Sequence, residues 1–280
     1  VEYARNKDVK IAYEVLGDPA RGVPLLMIMG LDFQMNWWPD AFCRQFVDRG
    51  FAVVRFDNRD TGLSTHFARG DKYTGQDMVD DALAVMDAVG WRSAHVFGAS
   101  MGAGLAQALT LLHPERVRTM TSGMGAPVTA GLLSMIRYVR LGTIAKLARL
   151  PQAKTREQEI DNIVAVYRAV GSPGYRFPET WAREAAGVSY DRHPRDPLTT
   201  QRQTTAMRRL RVPALSTITC PAFVFHGAED PLVRVAAGHD TARQIPGAAY
   251  VAHPGMGHNL PEELWPDIIG RIAALAEKQS

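Results

Sequence analysis

The run Ala94-His95-Val96-Phe97-Gly98-Ala99-Ser100-Met101-Gly102, continued by the nearly all-apolar Ala103–Leu112, decides the fold. Ala94–Phe97 is a short apolar stretch closed by glycine, as expected of a strand buried on both faces of a parallel sheet. The stretch from Gly102 has helix length and stops at His113-Pro114, where proline forbids continuation. Between them stands the pattern G-x-S-x-G. A strand that turns directly into a helix forces the middle residue into a strained conformation. The residues two before and two after must then be small to avoid a clash. Ser100 would project its hydroxyl from the top of the sheet at a helix N-terminus, where the helix dipole favours developing negative charge. The competing reading is a glycine-rich turn with an idle serine.

Outward from this run, Leu25–Met29 and Phe51–Phe56 are further apolar stretches, closed by Gly30 and Asp57, and Pro221–His226 and Ala248–Ala252 follow late in the chain. Lys10–Val15 alternates and reads as an edge strand, ended by Gly17-Asp18-Pro19. Helical periodicity fills Asp40–Arg49 and Gln76–Val89, and an amphipathic helix is expected from about Glu262 to Ala276. The alternation predicts an α/β fold with a doubly wound, mostly parallel sheet and right-handed crossovers. After Ser122–Pro127 the rhythm breaks, and residues 131–210 hold helical patterns without a convincing strand. The chain therefore divides into a core of residues 1–127 and 213–280 and a helical insertion of residues 128–212.

The 280 residues are 46% hydrophobic and 22% charged, which excludes a disordered or fibrous chain. The 32 Lys+Arg against 29 Asp+Glu leave a net charge of only +3. No basic run of the kind that binds nucleic acid occurs. Cys43 and Cys220 lie far apart, so a disulfide framework is excluded and a reducing, cytoplasmic compartment is expected. The charged start Val1–Asp8 is not a signal peptide as it stands, and a segment removed ahead of it stays open. No stretch approaches the roughly 18 apolar residues of a membrane-spanning helix. No metal or other cofactor is expected, and a homodimer is left open. Ser134–Val212 carries 15 basic and 7 acidic residues, a net +8, and the remainder is −5. This asymmetry reads either as solvated helix surface or as a positive lid that draws in anionic substrates.

A serine hydroxyl is a weak nucleophile that needs a base and an orienting acid. His258 follows a strand in the glycine-rich loop Pro254-Gly255-Met256-Gly257-His258-Asn259, from which a side chain can reach the top of the sheet. His66, His95, His113, His193 and His239 fit worse, lying in a polar loop, a strand, a helix end, the insertion and a helix. His226 and His253, at strand ends, remain alternatives. Asp230 follows a strand by a short loop, with Glu229 as its alternative and a turn-forming role as the other reading. No Asp or Glu occurs between Thr119 and Thr155, which removes a carboxylate one strand earlier.

Ser100, Asp230 and His258 stand in the chain order of the α/β-hydrolase triad, and the sequence resembles that superfamily over essentially its whole length. Met29-Gly30-Leu31 stands where the family has its His-Gly-x oxyanion turn, and Asp57–Ser64 where it has D-x-R-G-x-G-x-S. Within the family the chain most resembles the serine esterase branch of anthracycline (aclacinomycin) methylesterase-like hydrolases. Met29 in place of the usual His and Asp60 in place of the usual Gly depart from the pattern. The resemblance implies an α/β-hydrolase fold with a helical cap, and an oxyanion hole made by the backbone N–H groups of Leu31 and Met101. It implies pocket side chains among Phe33, Trp37, Trp38, Met135, Tyr138, Tyr167, Phe177 and Trp181, any of which can equally be core. Asp57 and Arg59 read as loop-fixing residues. The implied activity is hydrolysis of a carboxylic ester of a small to medium apolar or aromatic molecule through an acyl-enzyme. Lactone or thioester hydrolysis, carbon–carbon bond hydrolysis and cofactor-free perhydrolase chemistry on the same triad are alternatives, as is a slow-turnover ligand receptor.

Overall fold

The apolar runs become strands in the computed structural model, which describes residues 1–131 and 136–279. The strands are β1 (Glu2–Asn6), β2 (Val9–Leu16), β3 (Val23–Ile28), β4 (Phe51–Phe56), β5 (Ala94–Ala99), β6 (Val117–Gly123), β7 (Ala222–Gly227) and β8 (Ala249–His253). They form one sheet in the order β1-β2-β4-β3-β5-β6-β7-β8. The β1–β2 and β2–β4 pairs are antiparallel, and every later pair is parallel. Lys10–Val15, expected at the sheet edge, lies inside it: Glu2–Asn6 pairs along its outer side. Only Ala4 of that added strand is buried, so no apolar pattern marks it.

The helices are α1 (Asp40–Val47), α2 (Gly75–Ala88), α3 (Met101–Leu112), α4 (Leu141–Leu147), α5 (Arg156–Ala169), α6 (Glu179–Arg192), α7 (Thr199–Arg209), α8 (Ala236–Gln244) and α9 (Trp265–Glu277). Side chains alternate across each strand, so both faces of the sheet need cover. Leu25 and Met27 point to the side that holds Phe42 and Phe46 of α1 and Ile268, Ile269 and Ile272 of α9. Leu26 and Ile28 point to the other, against Met78, Val79 and Val85 of α2 and Leu105 and Leu109 of α3. Local chemistry sets where α2 starts: Thr74 and Asp77 form a reciprocal capping box.

Helices α4–α7 lie in sequence between β6 and β7, which are hydrogen-bonded parallel neighbours. The insertion therefore leaves the sheet continuous. It closes on the loops at the C-terminal ends of the strands, where an open α/β sheet presents its ligand site.

Candidate active site

Ser100 is the one residue between the end of β5 and the start of α3. It has φ 56° and ψ −118°, a left-handed conformation that side chains rarely adopt. The flanking glycines are required by close backbone approach. A Cβ on Gly98 would lie 2.0 Å from the Gly102 carbonyl oxygen, and one on Gly102 would lie 2.0 Å from that of Ile28. The turn is tied to β6 by the Ser100 N–H, which donates to the Gly123 carbonyl at 2.8 Å.

His258 brings its Nε2 to 2.8 Å from Ser100 Oγ and its Nδ1 to 2.6 Å from Asp230 Oδ2. With the Nδ1 proton facing the carboxylate, Nε2 accepts from the serine hydroxyl. Asp230 is buried in the loop after β7, and its Oδ1 accepts from the N–H groups of Leu232 and Val233, both at 2.8 Å. Burial by itself raises the Asp230 pKa. The charge of His258 and hydrogen bonds from His226 and His258 outweigh it and hold the carboxyl well below its usual range. Glu229 is exposed, and its backbone N–H donates to the Met256 carbonyl at 3.0 Å. His66 and His193 stack on each other at 3.5 Å, and His95 pairs with Thr119. His226 lies beside Asp230 rather than beside Ser100.

The Gly30 turn abuts the serine: a Cβ there would stand 3.2 Å from Ser100 Cβ. Asn58 donates to the Met29 carbonyl at 3.0 Å, and Gln203 of α7 accepts from the Asp32 N–H at 2.9 Å, so the turn is held from two sides. Asp57 accepts from the N–H groups of Met35 (2.8 Å) and Leu63 (2.9 Å), and Arg59 pairs with buried Asp81 at 2.6 Å. These bonds are loop-fixing. Asp60 stands at φ 73°, where glycine is at ease, and is held by Arg202, by the Phe67 N–H and by the Tyr73 hydroxyl.

Phe33, Trp37, Tyr167, Phe177 and Trp181 form one chain of ring contacts, with centroids 4.8–5.8 Å apart. The cluster is continuous with the apolar side chains of Met29, Met124 and Met256. Burial raises the Tyr167 phenol to about 12, partly offset by a hydrogen bond with Asn259. Trp38 is elsewhere, fully buried in the core against Phe42 and Phe97. Tyr138 is also outside the cluster, with its hydroxyl on Asp240 at 2.8 Å. Met135 lies outside the described residues.

Part of the charge asymmetry goes into contacts between insertion and core. Arg192 reaches Asp57 at 2.5 Å, Arg195 pairs with Asp32 and Arg202 with Asp60. Sequence reasoning missed these pairs, and it held His226 only as an alternative base and not as a neighbour of Asp230, four residues on. An i, i+4 His–Asp spacing at a strand end was the one available signal. No described helix is long and apolar enough to cross a membrane, and no cluster of three His, Cys, Asp or Glu among the described residues forms a metal site.

The rhodomycin D methylesterase of Streptomyces peucetius is 31% identical over 293 residues, covering 96% of this chain and 95% of that one. A 2-hydroxymuconate semialdehyde hydrolase of Pseudomonas putida is 29% identical over 250 residues, covering 87% and 83%. The meta-cleavage product hydrolase of Pseudomonas fluorescens IP01 superposes with a TM-score of 0.75 at 18% identity, covering 100% of this chain and 98% of that one. The sequence profile of the alpha/beta hydrolase fold matches residues 24–263, which takes in Ser100, Asp230 and His258, and the chain belongs to that family.

Proposed function

We propose that this protein is a serine hydrolase that cleaves a carboxylic ester of a small to medium apolar or aromatic molecule. The observation that carries the reading is the continuous relay from Ser100 Oγ through His258 to Asp230 at a strained strand–helix turn. Ser100 attacks the ester carbonyl while His258 Nε2 takes its proton. The tetrahedral oxyanion accepts hydrogen bonds from the N–H groups of Leu31 and Met101. Neither N–H has another acceptor among the described residues. His258 returns the proton to the departing alcohol and leaves Ser100 acylated. Water, deprotonated by His258, then releases the carboxylic acid and restores the serine. Each oxyanion donor is worth about 10²–10³ in rate. Residues 128–212 act as a cap, and the ring cluster from Phe33 to Trp181 supplies the apolar wall that receives the substrate.

Similarity to methylesterases supports ester hydrolysis, and similarity to a semialdehyde hydrolase supports carbon–carbon bond cleavage on the same triad as the second reading. Ser100→Ala should fold normally and lose at least about 10³ in kcat on methyl esters, and a fluorophosphonate should label Ser100 in the parent. Labelling at another residue, or undiminished turnover by the variant, overturns the reading. Faster turnover of a ring-fission diketone than of any ester favours the second.

A further inference from the structure

The loop that carries His258 makes few backbone hydrogen bonds to the sheet; the insertion holds it. The connection between α5 and α6 runs along it residue by residue. The His258 N–H donates to the Val170 carbonyl at 2.8 Å, and the Gly257 N–H donates to Ser172 Oγ at 2.8 Å. The Ser172 hydroxyl in turn donates to Asn259 Oδ1 at 2.5 Å. Further along, the Gly174 N–H donates to the Gly255 carbonyl at 2.9 Å and the Tyr175 hydroxyl to the Pro254 carbonyl at 3.1 Å. The approach is so close that a Cβ on Gly257 would stand 2.2 Å from the Gly171 carbonyl oxygen.

Ser172 is central to this seam because its hydroxyl is used in both directions, accepting on one side of His258 and donating on the other. We propose, resting on the hydrolase reading above, that Ser172 is a positioning residue that fixes the His258 ring between Ser100 and Asp230. The base is then in register only when the insertion is seated on the core. Proton transfer demands hydrogen-bond distance along the whole relay, and a misplacement of about 1 Å costs as much as 10²-fold in rate. Removing the hydroxyl leaves the Gly257 N–H and the Asn259 carbonyl without their partner, while the Val170 bond keeps the loop roughly in place. The loss should therefore be partial.

Ser172→Ala should lower kcat on a methyl ester by about tenfold with KM changed less than about twofold. The rate at which a fluorophosphonate labels Ser100 should fall by the same factor, because that reaction uses the same base. Ser172→Thr keeps the hydroxyl and should recover kcat to within about threefold of the parent. Parent-like kcat and labelling in Ser172→Ala overturn the proposal alone. So does a rise in KM at constant kcat, which marks a substrate contact, or a threonine variant no better than alanine. Failure of the parent both to turn over esters and to label at Ser100 overturns the hydrolase reading and this proposal with it.

Discussion

His226 Nε2 lies 3.2 Å from the same Asp230 oxygen that His258 Nδ1 reaches at 2.6 Å. The His226 ring is fully buried at the end of β7, and its Nε2 also faces the Val233 carbonyl at 3.0 Å. Two oxygens converge on that nitrogen, so it carries the proton and donates. With Oδ1 bound to two backbone N–H groups, the carboxylate has one orientation and presents one oxygen to His258. His226→Leu has similar volume without the donor and should lower kcat by about tenfold. His226→Gln, with an amide N–H in reach, should lower it less. Steady-state kinetics on one ester checks both, and equal effects mean that volume rather than the donor matters.

Asp230 and Glu229 are adjacent in sequence and opposite in environment, one buried on His258 and the other exposed. Asp230→Asn should lower kcat by about 10³-fold or more, because a neutral amide neither selects the Nδ1–H tautomer nor balances the imidazolium. Glu229→Gln should stay within about twofold. The reverse order of effects would show that the wrong carboxylate had been assigned.

The central strands and the elbow were legible because buried parallel strands write themselves as apolar runs and a strand–helix elbow demands glycine at fixed spacing. β6 was not, because Val117–Gly123 is rich in hydroxyls. Its buried Thr119 and Ser122 are satisfied by His95 and Gln107, partners that lie on other elements. That Ser100, His258 and Asp230 come within hydrogen-bond reach of one another was readable from their loops. Ser172 was not, since a serine between Gly171 and Pro173 looks like any turn until the loop facing it is known. The pairing of the insertion's arginines was hidden for the same reason. Arg192 meets Asp57 across 135 residues, and charge read along the chain cannot show that pairing.

His95 gives a stability signature with a definite sign. Burial, with a smaller contribution from the charge of Arg118, lowers its pKa from 6.5 to about 4. Between those values the unfolded chain binds the proton and the folded one does not. The group's contribution to stability is thus full above about pH 6.5 and is lost as pH falls through about 4. His95→Asn keeps a nitrogen near the position that meets Thr119 Oγ1 and does not titrate. Denaturant unfolding at pH 7, 6 and 5 should show a shallower loss of stability in this variant than in the parent. Parallel curves would show that His95 does not titrate differently in the two states.

Arg192 and Asp57 form a nearly buried pair between α6 and the loop after β4, with side chains 13% and 0% exposed. Burial already pushes the Asp57 carboxyl up, against the pull of Arg192 and two N–H groups. Arg192→Met would leave that carboxylate without its charge partner and should destabilise by about 3 kcal/mol. Recovery in the double variant with Asp57→Asn would assign the loss to the unpaired charge, and thermal unfolding of the three variants decides it.

The same pairs bear on whether the net +8 of Ser134–Val212 steers anionic substrates. A charge already matched by a carboxylate at hydrogen-bond distance projects little field, and Arg192, Arg195 and Arg202 are all so matched. Arg208, Arg209 and Arg211 are exposed at the end of α7, where a screening length of about 8 Å at physiological ionic strength mutes them. An anionic ester and a neutral one of the same shape should therefore show the same dependence of kcat/KM on salt. Reversing the charges of Arg208 and Arg209 should leave both slopes unchanged. A steeper fall with salt for the anionic ester, flattened by that double reversal, would instead show that the exposed arginines draw substrate in.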